Sequence, residues 1–369
     1  MKHKILCVIG TRPEAIKMAP IILAFKKMAQ FELRILATAQ HRSMLDDVMK
    51  VFGITPDIDL NIMTPNQDLT TLTARLLVNL DKALLEEKPD AVLAQGDTTT
   101  VMTVALTCFY HNIYFGHVEA GLRTWDIQNP FPEEMNRSIA GKLARWHFSP
   151  TESSRQNLLK EGVPNDKIIL TGNTVIDALF SINAKETSFP IDIDPSKRLI
   201  LVTAHRRENF GKPFERVCSA LIKLLDHNPN AQVLFPVHPN PNVWNTAHRL
   251  LGDHPRVILS NPLDYSSFVL AMRKSYIIIS DSGGIQEEAP ALGKPVLVLR
   301  DETERPEAVR EGVVKLVGTN VNKIFKEAHK LLTDDLSYRN MAKGVSPYGD
   351  GHAAARIVNF LGDFFTKKK

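Results

Sequence analysis

Three cysteines in 369 residues are too few to staple a fold. Cys7, Cys108 and Cys218 lie far apart in apolar segments, and neither Cys-x-x-Cys nor His-Glu-x-x-His occurs. This excludes a disulfide framework and a ribbon-type zinc site, and it indicates buried thiols in a reducing compartment. Long hydrophobic runs are missing as well. The N-terminal run Ile5 to Ile9 is cut by Gly10, Arg12 and Pro13, so it is too short for a signal peptide or a membrane span. A cytoplasmic protein without membrane contact is expected. Charge of one sign is scarce too: the formal net charge is only +4, and no Lys/Arg stripe with interleaved aromatics appears. That argues against a nucleic-acid partner and suits a small anionic ligand. Two nucleotide fingerprints are absent: no Gly-x-Gly-x-x-Gly follows a strand, and no Gly-x-x-x-x-Gly-Lys-[Ser/Thr] occurs. Dinucleotide and P-loop readings lose their main support. Neither a cofactor nor a metal is expected.

What is present is alternation. The composition, 44% apolar and 23% charged, is that of a globular chain, and its length suggests two domains. Short apolar runs read as strands at Ile5–Ile9, Glu32–Ala37, Ala91–Ala94, Ile113–His117, His147–Ser149 and Ile168–Leu170. A second series reads at Leu199–Thr203, Gln232–Pro236, Val257–Leu259, Tyr276–Ser280, Val296–Leu299 and Val314–Leu316. Continuous apolar runs fit parallel strands covered on both faces. Helical patterns separate them, among them Glu14–Met28, Leu69–Glu87, Glu133–Leu143, Phe214–Asp226 and Ile324–Leu332. The expected fold is α/β: two doubly wound, Rossmann-like parallel-sheet domains facing a cleft. Residues 183–197, polar and aperiodic, are the best linker candidate. The domains are placed at 1–175 and 176–350.

Ligands bind at the carboxyl ends of parallel strands, so the residues there are the informative ones. Ser280-Asp-Ser-Gly-Gly-Ile-Gln-Glu-Glu288 joins a strand to a helix. Glycines let a diphosphate approach the free N–H groups of a helix start, and Glu288, one turn on, faces the same way as Gly284 and suits ribose hydroxyls. A plain tight turn is the bland alternative. Arg12 and Lys17 follow the first strand as candidate phosphate ligands, or as ordinary surface charge. Asp97 follows the third strand and suits either chemistry or helix capping. Glu119 ends an apolar strand, where an unpaired carboxylate is costly, so a partner or a role is expected. Glu133 and Glu134 occupy a first helical turn, which the helix dipole favours in any case. His205, beside two arginines at a strand end, suits proton transfer or phosphate contact. His238, in a loop stiffened by prolines, reads as structural. The dense charge of Arg300 to Glu307 marks another strand end as a site.

These strings together resemble the non-hydrolysing UDP-N-acetylglucosamine 2-epimerases of bacteria, nearly end to end. The resemblance rests on Gly10-Thr-Arg-Pro-Glu-Ala-Ile-Lys17, Ala39-Gln-His-Arg42, Gly96-Asp-Thr-Thr-Thr100 and Gly116-His-Val-Glu-Ala-Gly-Leu-Arg-Thr124. It continues through Pro132-Glu-Glu-Met-Asn-Arg137, His205-Arg-Arg-Glu208, Asp281-Ser-Gly-Gly-Ile-Gln-Glu-Glu288 and Glu304-Arg-Pro-Glu307. It implies the two-domain fold of nucleotide-sugar glycosyltransferases (GT-B-like), with a C-terminal helix near 351–369 returning to the first domain. It implies interconversion of UDP-N-acetylglucosamine and UDP-N-acetylmannosamine by elimination and re-addition of UDP, and a homodimer. Asp97, Glu119 and Glu133 are then the catalytic carboxylates, with His205 assisting near the diphosphate. Arg12, Lys17, Ser282, Gly283, Gly284 and Arg305 would hold phosphates and sugar, Glu288 the ribose and Phe268 the uracil. Gln40 and His41 match an activator site for a second substrate molecule in relatives. Ser43 and Asn66 depart from that pattern, which puts activation by substrate in doubt. Rival readings are a hydrolysing epimerase, a glycosyltransferase and a sugar-nucleotide sensor.

Overall fold

The computed structural model describes residues 2–38, 42–62, 64, 67–183, 189–303 and 305–367. The chain divides into two units: Met1–Phe180 with Tyr348–Lys369, and Ser181–Pro347.

The first unit is a seven-stranded parallel sheet. Its strands are β1 (His3–Ile9), β2 (Phe31–Ala37), β3 (Ile58–Asp59), β4 (Ala91–Gln95), β5 (Tyr114–Val118), β6 (Trp146–Ser149) and β7 (Ile168–Leu170). They lie in the order β3-β2-β1-β4-β5-β6-β7. The order reverses between β1 and β4, so loops leaving these two strands diverge to opposite faces and open a crevice at the sheet's carboxyl edge. The two-residue β3 is too short to show a period and escapes the sequence reading. One hydrophobic cluster joins Leu6, Val8, Val92 and Ala94 of the sheet to Leu72, Leu76 and Leu80 of helix Leu69–Glu87 and to Val101, Val104 and Ala105 of helix Thr99–Tyr110. Helix Ala353–Lys367 closes the unit from the C-terminal end. Phe364 packs edge-on against Trp146 at 4.9 Å, and Phe365 stacks on His3 at 4.4 Å. Its first turn is capped from helix Thr174–Asn183: Asp177 accepts from the amides of Ala353 (3.2 Å) and Ala354 (2.9 Å).

The second unit repeats the winding with six parallel strands. They are β8 (Arg198–Thr203), β9 (Ala231–Pro236), β10 (Val257–Ser260), β11 (Ile277–Ser280), β12 (Val296–Val298) and β13 (Val314–Leu316), ordered β10-β9-β8-β11-β12-β13. Here the reversal falls between β8 and β11. The core joins Ile200, Val202, Val233, Phe235, Ile277 and Ile279 to Phe214, Leu221 and Leu225 of helix Lys212–His227. The end of the polar stretch at 183–197 belongs to this unit. Asp194 exchanges hydrogen bonds with the Gln232 side chain, N–H to Oε1 at 3.1 Å and Nε2–H to the carbonyl at 2.6 Å. Among the described residues no helix is long and apolar enough to cross a membrane, and no group of three or more His, Cys, Asp and Glu is placed to hold a metal ion.

Candidate active site

In the first unit the site residues gather where the strand order reverses. Thr11 caps helix Arg12–Phe25, and Glu14 closes the reciprocal box, accepting from the amides of Gly10 (2.6 Å) and Thr11 (3.3 Å). Burial pushes Glu14 up to about 7, against those bonds. Arg12 opens the helix. Lys17, one turn further, turns inward, and its Nζ lies 2.5 Å from Oε1 of Glu119. Both side chains are almost out of water, 11% and 6% exposed, so the ammonium is committed to a carboxylate.

Glu119 follows β5 with φ +63°, a left-handed conformation that costs a residue bearing Cβ about 1–2 kcal/mol. The conformation aims its carboxylate at a ready set of partners. Oε1 also accepts from Asn173 Nδ2 at 2.7 Å, and Oε2 accepts from Gln95 Nε2. The partner expected for a carboxylate at the end of an apolar strand is therefore threefold.

Asp97 sits two residues beyond Gln95. It is not the helix cap: Thr98 fills that place, accepting from the Val101 amide. Oδ2 of Asp97 instead accepts from Arg137 Nη2 at 2.5 Å, and its carbonyl accepts from Asn136 Nδ2 at 3.0 Å. The Asp97 turn is held from beneath by His117, whose Nε2 lies 2.7 Å from the Gly96 carbonyl. A carbonyl only accepts, so Nε2 carries the hydrogen, and burial pushes the ring down to about 4, keeping it neutral. Glu133 is the half-buried first residue of helix Glu133–Leu143. Its neighbour Glu134 is buried, accepts from the amides of Thr124 (3.1 Å) and Trp125 (3.2 Å), and stands 3.2 Å from Arg137 Nη1.

In the second unit the reversal between β8 and β11 brings His205 beside Asp281. Asp281 is fully buried; Oδ2 accepts from the amides of His205 and Arg206, each at 2.9 Å, and from Asn209 Nδ2 at 3.1 Å. Burial pushes Asp281 up, but the His205 ring and the two amides outweigh it and hold the carboxyl below its usual range. The His238 ring lies parallel to His205 at 6.0 Å.

Ser282 precedes helix Gly283–Ala291 without a side-chain cap bond. Arg305 lies over Gly283: a Cβ there would sit 2.7 Å from its Nη1. Glu287 fixes this guanidinium, accepting from Nε at 2.6 Å. Glu288, one turn past Gly284, accepts from the buried Tyr265 hydroxyl at 2.7 Å. Tyr265 and Phe268 share helix Tyr265–Lys274, with Phe268 half-buried. Gln40, His41 and Asn66 lie outside the described residues, as does the side chain of Ser43.

Several residues that build these clusters escape the sequence reading. Arg137 carries a legible signal, being three and four residues from Glu134 and Glu133 and hence on their face of the helix. Gln95, a polar residue ending an apolar strand, carries a weaker one. Asn173 and Tyr265 carry none.

The sequence model of the UDP-N-acetylglucosamine 2-epimerase family matches residues 23–362. A curated UDP-N-acetylglucosamine 2-epimerase of Yersinia pestis is 53% identical over 368 residues, covering 97% of this chain and 98% of its own. The crystal structure of a Neisseria meningitidis UDP-GlcNAc 2-epimerase bound to UDP-GlcNAc superposes with a TM-score of 0.91 at 48% identity, covering 98% of this chain and 100% of that one. A glycotransferase of kitacinnamycin, 11% identical with a TM-score of 0.67 over 97% of this chain and 99% of its own, shares the fold alone. The chain belongs to the UDP-N-acetylglucosamine 2-epimerase family.

Proposed function

We propose that this chain interconverts UDP-N-acetylglucosamine and UDP-N-acetylmannosamine without net hydrolysis. C2 of the sugar carries an acetamido group and no carbonyl, so its proton is not acidic enough for simple abstraction. Elimination avoids the difficulty. A base takes the C2 proton, the C1–O bond breaks, and both electrons of that bond leave with UDP to give a glycal. UDP oxygen then attacks C1 again while an acid delivers a proton to the other face of C2. The reaction needs carboxylates for two proton transfers and cationic or N–H groups for the charge that grows on the departing diphosphate.

The observation that carries this reading is the pair of carboxylates at the reversal of the first sheet. Glu119 and Asp97 leave adjacent strands, and each is fixed by its own cation, Lys17 and Arg137. A protein that only bound a sugar nucleotide would have no need of two such anchored acids. Glu133, which opens the helix that carries Arg137, is the third candidate for proton transfer. In the second unit, Ser282, Gly283, Gly284 and Arg305 suit a diphosphate, Glu288 the ribose and Phe268 the uracil, while His205 meets the leaving diphosphate. Arg12 is assigned to phosphate. Lys17 is assigned to orienting Glu119.

Proton NMR of the protein with UDP-N-acetylglucosamine in D2O tests the proposal. Growth of UDP-N-acetylmannosamine, with deuterium entering at C2 and no lasting free UDP, is expected. Free N-acetylmannosamine with stoichiometric UDP would instead make the chain a hydrolysing epimerase, and an unchanged spectrum with binding intact would make it a sensor or an acceptor-requiring transferase.

A further inference from the structure

His205 and Asp281 are 76 residues apart and meet because β8 and β11 are neighbours at the reversal of the second sheet. Nδ1 of His205 lies 3.1 Å from Oδ1 of Asp281. The ring is not turned into alignment for a formed hydrogen bond, and Oδ1 is wholly buried with no hydrogen-bond partner among the described residues. Oδ2, by contrast, is saturated by three N–H donors. A carboxylate can only accept, so among the described residues the group placed to satisfy Oδ1 is His205 Nδ1–H. His205 Nε2 has no hydrogen-bond partner among the described residues, and the side chain is 42% exposed. The His238 ring lies nearly parallel to His205 with the centroids 6.0 Å apart, and its own Nδ1 accepts from the Asn240 amide at 3.1 Å, which leaves Nε2 as its hydrogen-bearing nitrogen.

We propose that Asp281 is a positioning residue that fixes His205 as the Nδ1–H tautomer, with His238 holding the ring plane, so that Nε2 is the nitrogen presented to the diphosphate. In the neutral ring Nε2 is then a lone-pair acceptor. It becomes a donor to phosphate oxygen once the ring carries a second proton, and Asp281 supplies the counter-charge from behind. The role in turnover rests on the assignment of His205 under Proposed function; the tautomer does not.

The bonding of Asp281 supplies an isosteric test. In Asp281→Asn the side-chain oxygen must occupy the Oδ2 position, because three N–H groups point at it. The amide NH2 then faces His205 Nδ1 and forces that nitrogen to accept. The tautomer reverses and Nε2 gains the hydrogen. In 15N-histidine-labelled protein, with His205→Gln used to assign the signal, long-range 15N–1H correlation should show protonated Nδ1 and bare Nε2 in the wild type at pH above 7. Asp281→Asn should show the opposite, with UDP affinity changed by less than about threefold and turnover lower by on the order of a hundredfold or more, as when the same exchange reverses a histidine in a Ser–His–Asp triad. A bare Nδ1 in the wild type overturns the proposal even if the variant fails to fold. An unreversed tautomer in a folded Asp281→Asn also overturns it, and so does a reversed tautomer with undiminished turnover. If His205→Gln itself turns over normally, the assignment of His205 to the reaction fails, while the wild-type spectrum still decides whether Asp281 sets the tautomer.

Discussion

The two units have the same winding and the same reversal of strand order, but each fills its own crevice differently. The first unit sets acids there, each with its own buried or half-buried partner: Glu119 with Lys17, Gln95 and Asn173, and Asp97 with Arg137. The second sets glycines, backbone amides, a guanidinium and a histidine there; its buried acids Asp281 and Glu287 hold the histidine, the amides and the guanidinium, while Glu288 is held by the Tyr265 hydroxyl. One architecture thus carries anchored carboxylates in one copy and glycines, amides and a guanidinium suited to an anion in the other. What differs is the few residues after each strand, together with the distant partners that the parallel crossovers bring to the same sheet edge.

The contrast extends to stability against acid, where the largest effect is expected. His117 and His147 are buried neutral in the first sheet; burial pushes them down to about 4 and about 3. Unfolded, both would take up protons near pH 6.5. Their stabilisation is therefore present above that pH and is lost as pH falls toward 4 and 3. Glu14 opposes them, since its carboxyl is raised to about 7 and favours the folded state as pH falls from 7 to about 4.5. Below 4.5 that opposition ends, so the loss of stability of the first unit should be steepest just below about pH 4.5 and should continue toward about pH 3, several kcal/mol in all. The depressed Asp281 of the second unit loses its contribution only as pH falls below the ordinary aspartate range. Hydrogen exchange followed by peptide from pH 7 to 3 should show the β5 and β6 peptides losing protection before those of β8 and β11. Simultaneous loss would erase the distinction between the units.

Next in size, Asp97→Asn and Glu119→Gln should lower turnover by on the order of a hundredfold or more while leaving UDP binding nearly intact, because they remove proton transfer and keep the second unit unchanged. Calorimetric UDP titration beside steady-state rates separates the two. Wild-type-like turnover in either variant would remove that residue from the catalytic set.

The smallest effect sharpens the other side of the comparison. Gly283→Ala places a Cβ 2.7 Å from Arg305 Nη1, and the guanidinium is the movable partner. The shift should weaken UDP binding by about tenfold, roughly 1.4 kcal/mol, with little change in thermal stability. A lower melting temperature with unchanged UDP affinity would make Arg305 a structural residue only.

Much of this was legible from residue pattern. Apolar runs marked twelve of the thirteen strands among the described residues because a strand covered on both faces must be apolar throughout. Helix Leu69–Glu87 and helix Glu133–Leu143 matched the boundaries set by their periods and caps. The short strings after the strands brought Asp97, Glu119, His205, Ser282 and Glu288 into view, since polar residues at the end of an apolar run have few other reasons to be there. The sequence by itself thus determined the alternation, the winding and the identity of the groups at the strand ends. Their partners were decided by tertiary structure alone. Lys17 reaches Glu119 across 102 residues, Arg137 reaches Asp97 across 40, and Asp281 reaches His205 across 76. A parallel sheet returns every strand to the same edge through a crossover, so residues that meet there share no local period, and only the strand order decides which of them become neighbours.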